Sequence, residues 1–133
     1  MEKNYIHSII QNYEENLRRV KHDGLYLEYI KAQTYELSLE AVNECGHALE
    51  YVKEQTPELC LEAVKQYGYT LKYVKEQTPE LCWEAVKQNG FALQFVKQQT
   101  SELCLEAVKQ NGFVLYYVED PILQEQIKIH FNL

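Results

Sequence analysis

Arginine occurs only twice in the 133-residue chain, as the adjacent pair Arg18 and Arg19, and acidic side chains outnumber basic ones by 20 to 13. No 22-residue unit from residue 30 onward is net positive, so the cationic track that a nucleic-acid backbone requires is missing. That includes the helical-repeat mode in which RNA is read one base per unit. No uncharged apolar stretch approaches the ~18 residues of a membrane span, and residues 1–20 hold no unbroken apolar core. Membrane association and secretion are therefore not expected, and a cytoplasmic location is. With 46% apolar and 25% charged residues the chain has enough apolar surface to fold.

Glycine is equally sparing. All five glycines, Gly24, Gly46, Gly68, Gly90 and Gly112, are spaced by 22 residues, and a fixed period of this length is the mark of a repeat architecture. Laid out at that period, residues 30–51, 52–73, 74–95 and 96–117 form four closely similar units. A degenerate unit precedes them within residues 1–29, where Leu17, Val20, Gly24, Leu27 and Tyr29 keep the repeat phases, and residues 118–133 begin a sixth unit and abandon it. The whole, 1–133, reads as one repeat domain with a cap at each end.

Within a unit, Thr56-Pro57-Glu58 is a helix start: a Thr N-cap, Pro at the first helical position and an acid near the positive end of the dipole. Gly68 reads as the matching stop, in a left-handed conformation that brings Val64 against Tyr69. A second, shorter helix is expected over about residues 69–77. Leu59, Cys60, Leu61, Ala63 and Val64 share one broad arc of the first helix, and Tyr69, Leu71, Tyr73 and Val74 one of the second. Arcs so wide need covering by the hairpins before and after. The predicted fold is all-α: a right-handed α-solenoid of short helix-turn-helix repeats with N- and C-terminal capping helices. Leucine-rich repeats share the period but require an L-x-x-L-x-L-x-x-N strand signature. Residues 3–22 form the first cap, with Ile6, Ile9, Ile10, Tyr13, Leu17 and Val20 at helical spacing and Glu14/Arg18 and Glu15/Arg19 as ion pairs. After Asp120-Pro121 a last helix is expected, with a strand as the alternative for the tail.

The unit V-K-E-Q-T-P-E-L-C-L-E-A-V-K-Q-N-G-F-A-L-Q-F resembles a repeat family abundant in giant DNA viruses of amoebae, a domain of unknown function. Its hallmark L-E-A-V-K-Q-N-G stands at residues 105–112, and at 83–90 with Trp83 in place of Leu. The first full unit departs from it at Tyr35, Ser38 and Asn43-Glu44-Cys45. The resemblance implies a viral or microbial origin and a repeat scaffold, and no catalysis.

Residues capable of chemistry fall into bland patterns. Cys60, Cys82 and Cys104 recur at the repeat period; units ~10 Å apart hold their sulfurs beyond disulfide or zinc reach, so these are read as small core residues and reduced thiols. His7, His22, His47 and His130 share no metal-ligand spacing, and Glu58/Glu62 with its copies occupies the wettest arc. No metal, cofactor or enzymatic activity is expected. Gln33, Gln55, Gln77 and Gln99 form a ladder read as setting the stacking register by satisfying free helix-end carbonyls. Tyr29, Tyr51, Tyr73, Phe95 and Tyr117 are assigned to core packing.

What remains is where the units differ. The variable positions are four apart on the second helix: Glu28/Ala32, Glu50/Glu54, Lys72/Glu76, Gln94/Gln98 and Tyr116/Asp120. They form the expected partner-binding stripe, with Tyr116, Tyr67 and Trp83 as the aromatic positions of most interest. The function expected is a protein-binding scaffold holding an unidentified protein or peptide, the alternative a structural or self-assembling component. The chain is expected to be a monomer or weak homo-oligomer.

Overall fold

A computed structural model describes residues 2–133. It is an all-helical solenoid in which ordinary α-helices alternate with six-residue 3-10 helices. α1 (Glu2–His22) is followed by η1 (Gly24–Tyr29), α2 (Tyr35–Glu44), η2 (Gly46–Tyr51), α3 (Pro57–Gln66), η3 (Gly68–Tyr73), α4 (Pro79–Gln88), η4 (Gly90–Phe95), α5 (Ser101–Gln110), η5 (Gly112–Tyr117) and α6 (Pro121–Phe131). Each helix contacts its own hairpin partner and its counterpart in the next unit.

The helix starts are those expected. Thr34, Thr56, Thr78 and Thr100 are N-caps whose hydroxyls accept from Leu37, Leu59, Leu81 and Leu103 at 3.2–3.3 Å, and Pro57 and Pro79 open their helices. The tail of the chain is helical, not a strand; Asp120 caps α6 by accepting from Ile122 at 2.9 Å and Leu123 at 3.3 Å.

The helix stops work differently from expectation. Among the described residues no glycine has positive φ; the only left-handed residue is Asn132. The corner is made by the residue before each glycine: Cys45, Tyr67, Asn89 and Asn111 are extended, with φ between −143° and −154°. Asn89 and Asn111 also accept from Phe91 (3.0 Å) and Phe113 (2.9 Å), capping the 3-10 helix that follows. Of the pair expected to meet across that stop, Val64 is fully buried and Tyr69 is 37% exposed. The second helix is also shorter than predicted. It stops at Tyr29, Tyr51, Tyr73, Phe95 or Tyr117, and the next residue, Ile30, Val52, Val74, Val96 or Val118, is extended and buried.

Glycine is needed because neighbouring units approach closely. A Cβ on Gly68 would lie 2.5 Å from the Ala85 carbonyl oxygen and one on Gly90 2.8 Å from that of Ala107. The approach lets the glycine N–H donate to a glutamine of the next unit: Gly46 to Gln66 at 2.8 Å, Gly68 to Gln88 at 2.7 Å and Gly90 to Gln110 at 2.8 Å. Gln66 and Gln110 return a bond from Nε2 to the Val42 and Val86 carbonyls at 2.8 Å, satisfying helix-end acceptors that would otherwise be orphaned.

The predicted glutamine ladder is present. Nε2 of Gln33, Gln55, Gln77 and Gln99 donates to the carbonyl of Tyr51, Tyr73, Phe95 and Tyr117 at 2.7–2.8 Å. Their Oε1 atoms accept from the backbone N–H of Lys53, Lys75, Lys97 and Glu119 at 3.0–3.1 Å. One side-chain amide thus pairs with both backbone groups flanking the end of the following 3-10 helix.

The core runs through the stack as rows of equivalent residues: Leu37, Leu59, Leu81 and Leu103; Ala41, Ala63, Ala85 and Ala107; Val42, Val64, Val86 and Val108. The row of Leu39, Leu61, Trp83 and Leu105, counted in the apolar arc from sequence, instead lies at the surface or half-buried. At the first cap, Glu15 pairs with both Arg18 (2.7 Å) and Arg19 (2.8 Å), which hold its carboxyl at about 2; the pair is Glu15/Arg18, not Glu14/Arg18.

Glycines held by close approach should differ in their tolerance of a side chain. At Gly112 a Cβ would meet only the flexible end of Leu133, at 3.0 Å. Gly68→Ala should therefore lose about 1–3 kcal/mol, and Gly112→Ala markedly less, in paired thermal or urea denaturation. Equal losses would mean that backbone conformation, not the approach, selects glycine.

Candidate functional site

The variable positions do not share one helix face. Because each 3-10 helix ends at its sixth residue, the expected pairs split into two rows. Glu28, Glu50, Lys72, Gln94 and Tyr116 are each the fifth residue of a 3-10 helix; Gln94 is half-buried and the others are exposed. Ala32, Glu54, Glu76, Gln98 and Asp120 are exposed but lie beyond those helices, the first four at a bend in the linkers. Asp120 is occupied as the N-cap of α6.

The 3-10 row rests on an aromatic layer that crosses unit boundaries. Rings meet between His47 and Tyr73 (6.5 Å), Tyr69 and Phe95 (5.3 Å) and Phe91 and Tyr117 (6.3 Å). Tyr51, Tyr73, Phe95 and Tyr117 are half-buried, as packing residues would be, whereas Tyr29 is 70% exposed. The variable residues decorate this layer. The Lys72 ammonium sits 4.7 Å from the Tyr73 ring centroid, and Gln94 Nε2 donates to the Tyr69 hydroxyl at 3.1 Å. Tyr116 stacks edge-on against Tyr117 at 5.4 Å and is 83% exposed. The Glu28 carboxylate, with burial and Glu50, raises the Tyr51 phenol above its ordinary 10.0. Cross-unit aromatic pairing was missed from sequence, although an aromatic follows the glycine at Tyr69, Phe91 and Phe113.

The linker row borders a second feature that sequence did not indicate, a series of grooves between successive linkers. One of about 280 Å³ is lined by Gln33, Thr34, Ser38, Lys31, Lys53 and Glu54 among others. Its equivalent one unit on, about 200 Å³, is lined by Gln55, Thr56, Cys60, Lys75 and Glu76. The third, about 670 Å³, is lined by Gln77, Cys82, Trp83, Lys75, Lys97 and Gln98 among others. Tyr67, the remaining aromatic of interest, is 48% exposed and packs on His47 at 4.8 Å, away from these grooves.

All four cysteines are free. Cys60, Cys82 and Cys104 are buried, each sulfur 3.5–3.6 Å from the Oε1 of Gln55, Gln77 or Gln99. Burial raises all three thiols, Cys104 to about 11 with help from Glu119 and Asp120. Glu62 accepts from Gln66 at 3.4 Å, so one member of the Glu58/Glu62 pair is part of the junction. Among the described residues no group of three His, Cys, Asp or Glu side chains has metal-binding geometry, and no helix is long and apolar enough to cross a membrane.

The protein family described as a domain of unknown function (DUF4116) matches residues 34–78 and, in tandem, residues 78–124. Each match spans two of the 22-residue units. No curated protein and no solved structure matches the chain significantly.

Thiol reactivity reads the burial of the cysteine row. In native protein at pH 8, iodoacetamide should modify Cys60, Cys82 and Cys104 far more slowly than half-exposed Cys45, by site-resolved mass spectrometry, with the difference abolished in denaturant. A thiol whose pKa is raised on folding favours the folded state below its unfolded value. Stability should accordingly fall as pH rises from about 9 to about 11, read in alkaline melting curves.

Proposed function

The chain belongs to the DUF4116 family, and from that premise we propose that it is a non-catalytic scaffold that binds another protein or peptide. The observation carrying this reading is the division between constant and variable positions. The rows that join units, Leu59, Ala63, Val64, Gln55 and their equivalents, repeat with little change, while the fifth residue of each 3-10 helix passes through Glu28, Glu50, Lys72, Gln94 and Tyr116. A row that varies in charge and size above a constant aromatic layer offers a partner discrimination without disturbing the stack. The L-E-A-V-K-Q-N-G resemblance supports a giant-virus source, with the host cytoplasm or virion as the site of action.

The test is retention of a partner by immobilised protein. Wild type should hold a discrete host or viral protein, identified by mass spectrometry. A variant with Glu28, Glu50, Lys72 and Tyr116 all changed to Ala, and an unaltered melting temperature, should lose it by at least about tenfold, as hot-spot truncation does. Equal retention by both proteins would reject the row as the binding surface.

Self-assembly is the second reading, favoured by apolar exposure at the two ends. Tyr5, Ile6, Ile9 and Ile10 along α1 are 50–71% exposed, and Ile122 and Ile129 of α6 are 72% and 68% exposed. Stripes of this kind mark association surfaces. Light scattering across a concentration series separates the readings. A mass that rises with concentration in wild type and stays monomeric in Ile6→Lys/Ile10→Lys supports assembly through α1, and a constant monomer mass rejects it.

A further inference from the structure

We infer that the groove beside Trp83 binds a short acidic peptide segment carrying an apolar side chain. The inference rests on the scaffold reading and specifies one partner chemistry at a place distinct from the 3-10 row.

The three linker grooves are built from equivalent positions, so their differences are informative. The first is lined by Lys31 and Lys53 with Glu54, and the second by Lys75 with Glu76, so each of these linings includes a carboxylate. At the third groove the linker residue is Gln98. Lys75 and Lys97 line it, and no Asp or Glu does. A protein of formal charge −7 thus has a groove whose charged lining is wholly cationic. The ammonium groups are positioned. Lys75 Nζ donates to the Lys53 carbonyl at 3.1 Å and Lys97 Nζ to the Lys75 carbonyl at 3.2 Å, which leaves each with further donors for a carboxylate.

The apolar part is supplied by Trp83. The equivalent residues are Leu39, Leu61 and Leu105, and only here does an indole replace the leucine and join the lining of a linker groove. Trp83 is 39% exposed, with Leu103 and Pro79 completing the apolar lining. Tryptophan is the side chain most strongly associated with binding hot spots. At about 670 Å³ the groove falls within the ~300–1,000 Å³ of small-ligand sites, and the other two linker grooves fall below it. A lining that combines two ammonium groups with an indole selects a ligand with carboxylates beside an apolar group. The chain's net charge of −7 disfavours such a ligand over the surface as a whole.

Trp83 is the only tryptophan of the chain, so its emission reports the groove directly. The probe is a synthetic peptide of Asp and Glu around a single Phe, free of Trp and Tyr. It should produce a saturable change in Trp83 emission that weakens with added salt. The same peptide with Lys in place of every acid should produce none. Lys75→Glu/Lys97→Glu should weaken binding by about tenfold or more, Gln98→Glu by a smaller factor, and Lys75→Arg/Lys97→Arg should restore it, each variant having wild-type melting behaviour. Unchanged emission with the acidic peptide, an equal response to the basic one, or indifference to the charge reversals would overturn the inference. A silent Trp83 beside a partner still lost on changing the 3-10 row would remove the groove and leave the scaffold standing.

Discussion

Every junction in the stack depends on a side-chain amide that takes the place of a backbone. A hairpin of one ten-residue α-helix and one six-residue 3-10 helix leaves carbonyls and N–H groups unpaired at each corner, and neither element is long enough to satisfy them internally. Gln55 meets this by pairing with the backbone of Tyr73 and Lys75 at the end of the following 3-10 helix, and Gln66 by pairing with Gly46 and Val42 of the unit before. Stacking therefore completes the hydrogen bonding of each hairpin as well as burying its apolar face. Among the described residues no buried side-chain polar atom is left without a partner. Removing a unit would orphan groups in both neighbours, at about 1–3 kcal/mol each, so the repeats are expected to fold as a coupled array.

The ends show how the junction adapts when a neighbour is atypical. At Gly24 the acceptor is Glu44, which takes the N–H at 2.6 Å but has no proton to return. At Gly112 the following helix is α6, and Leu133 just beyond its end occupies the space where the other glycines meet a carbonyl. α1 and α6 thus complete the core at Val20 and Ile127 without reproducing the polar junction. Their far faces keep isoleucines in solvent.

The period, the Thr N-caps, the buried leucine and valine rows and the first glutamine ladder were legible in the sequence. Each follows from residue type and spacing within one chain segment. Three features were not. A six-residue apolar pattern does not distinguish a 3-10 from an α-helix, and that difference moved Glu54, Glu76 and Gln98 off the helix and onto the linker edge. An invariant glycine is equally consistent with left-handed backbone and with close approach; only the position of the Ala85 carbonyl separates them. Gln66 carries no mark of its role in the sequence, because nothing within a single unit shows that its side chain reaches the glycine of the unit before.

This arrangement also determines where the protein is free to change. The amide junctions and the glycine approach occupy the corners and the core, so substitutions there disturb two units at once. The fifth position of each 3-10 helix and the third linker residue take no part in the glutamine junctions, and, apart from Gln94 on Tyr69 and Asp120 at the cap, they can vary without altering the stack. Gln98 illustrates the result. In place of the Glu54 and Glu76 of earlier units, it leaves Lys75 and Lys97 without a carboxylate in their shared groove. The backbone bond from Lys97 to Gln77 remains at 3.0 Å. A change of one charge at a linker position thus alters the electrostatics of a single groove while the amide pairing directly beneath it is the same as in every other unit.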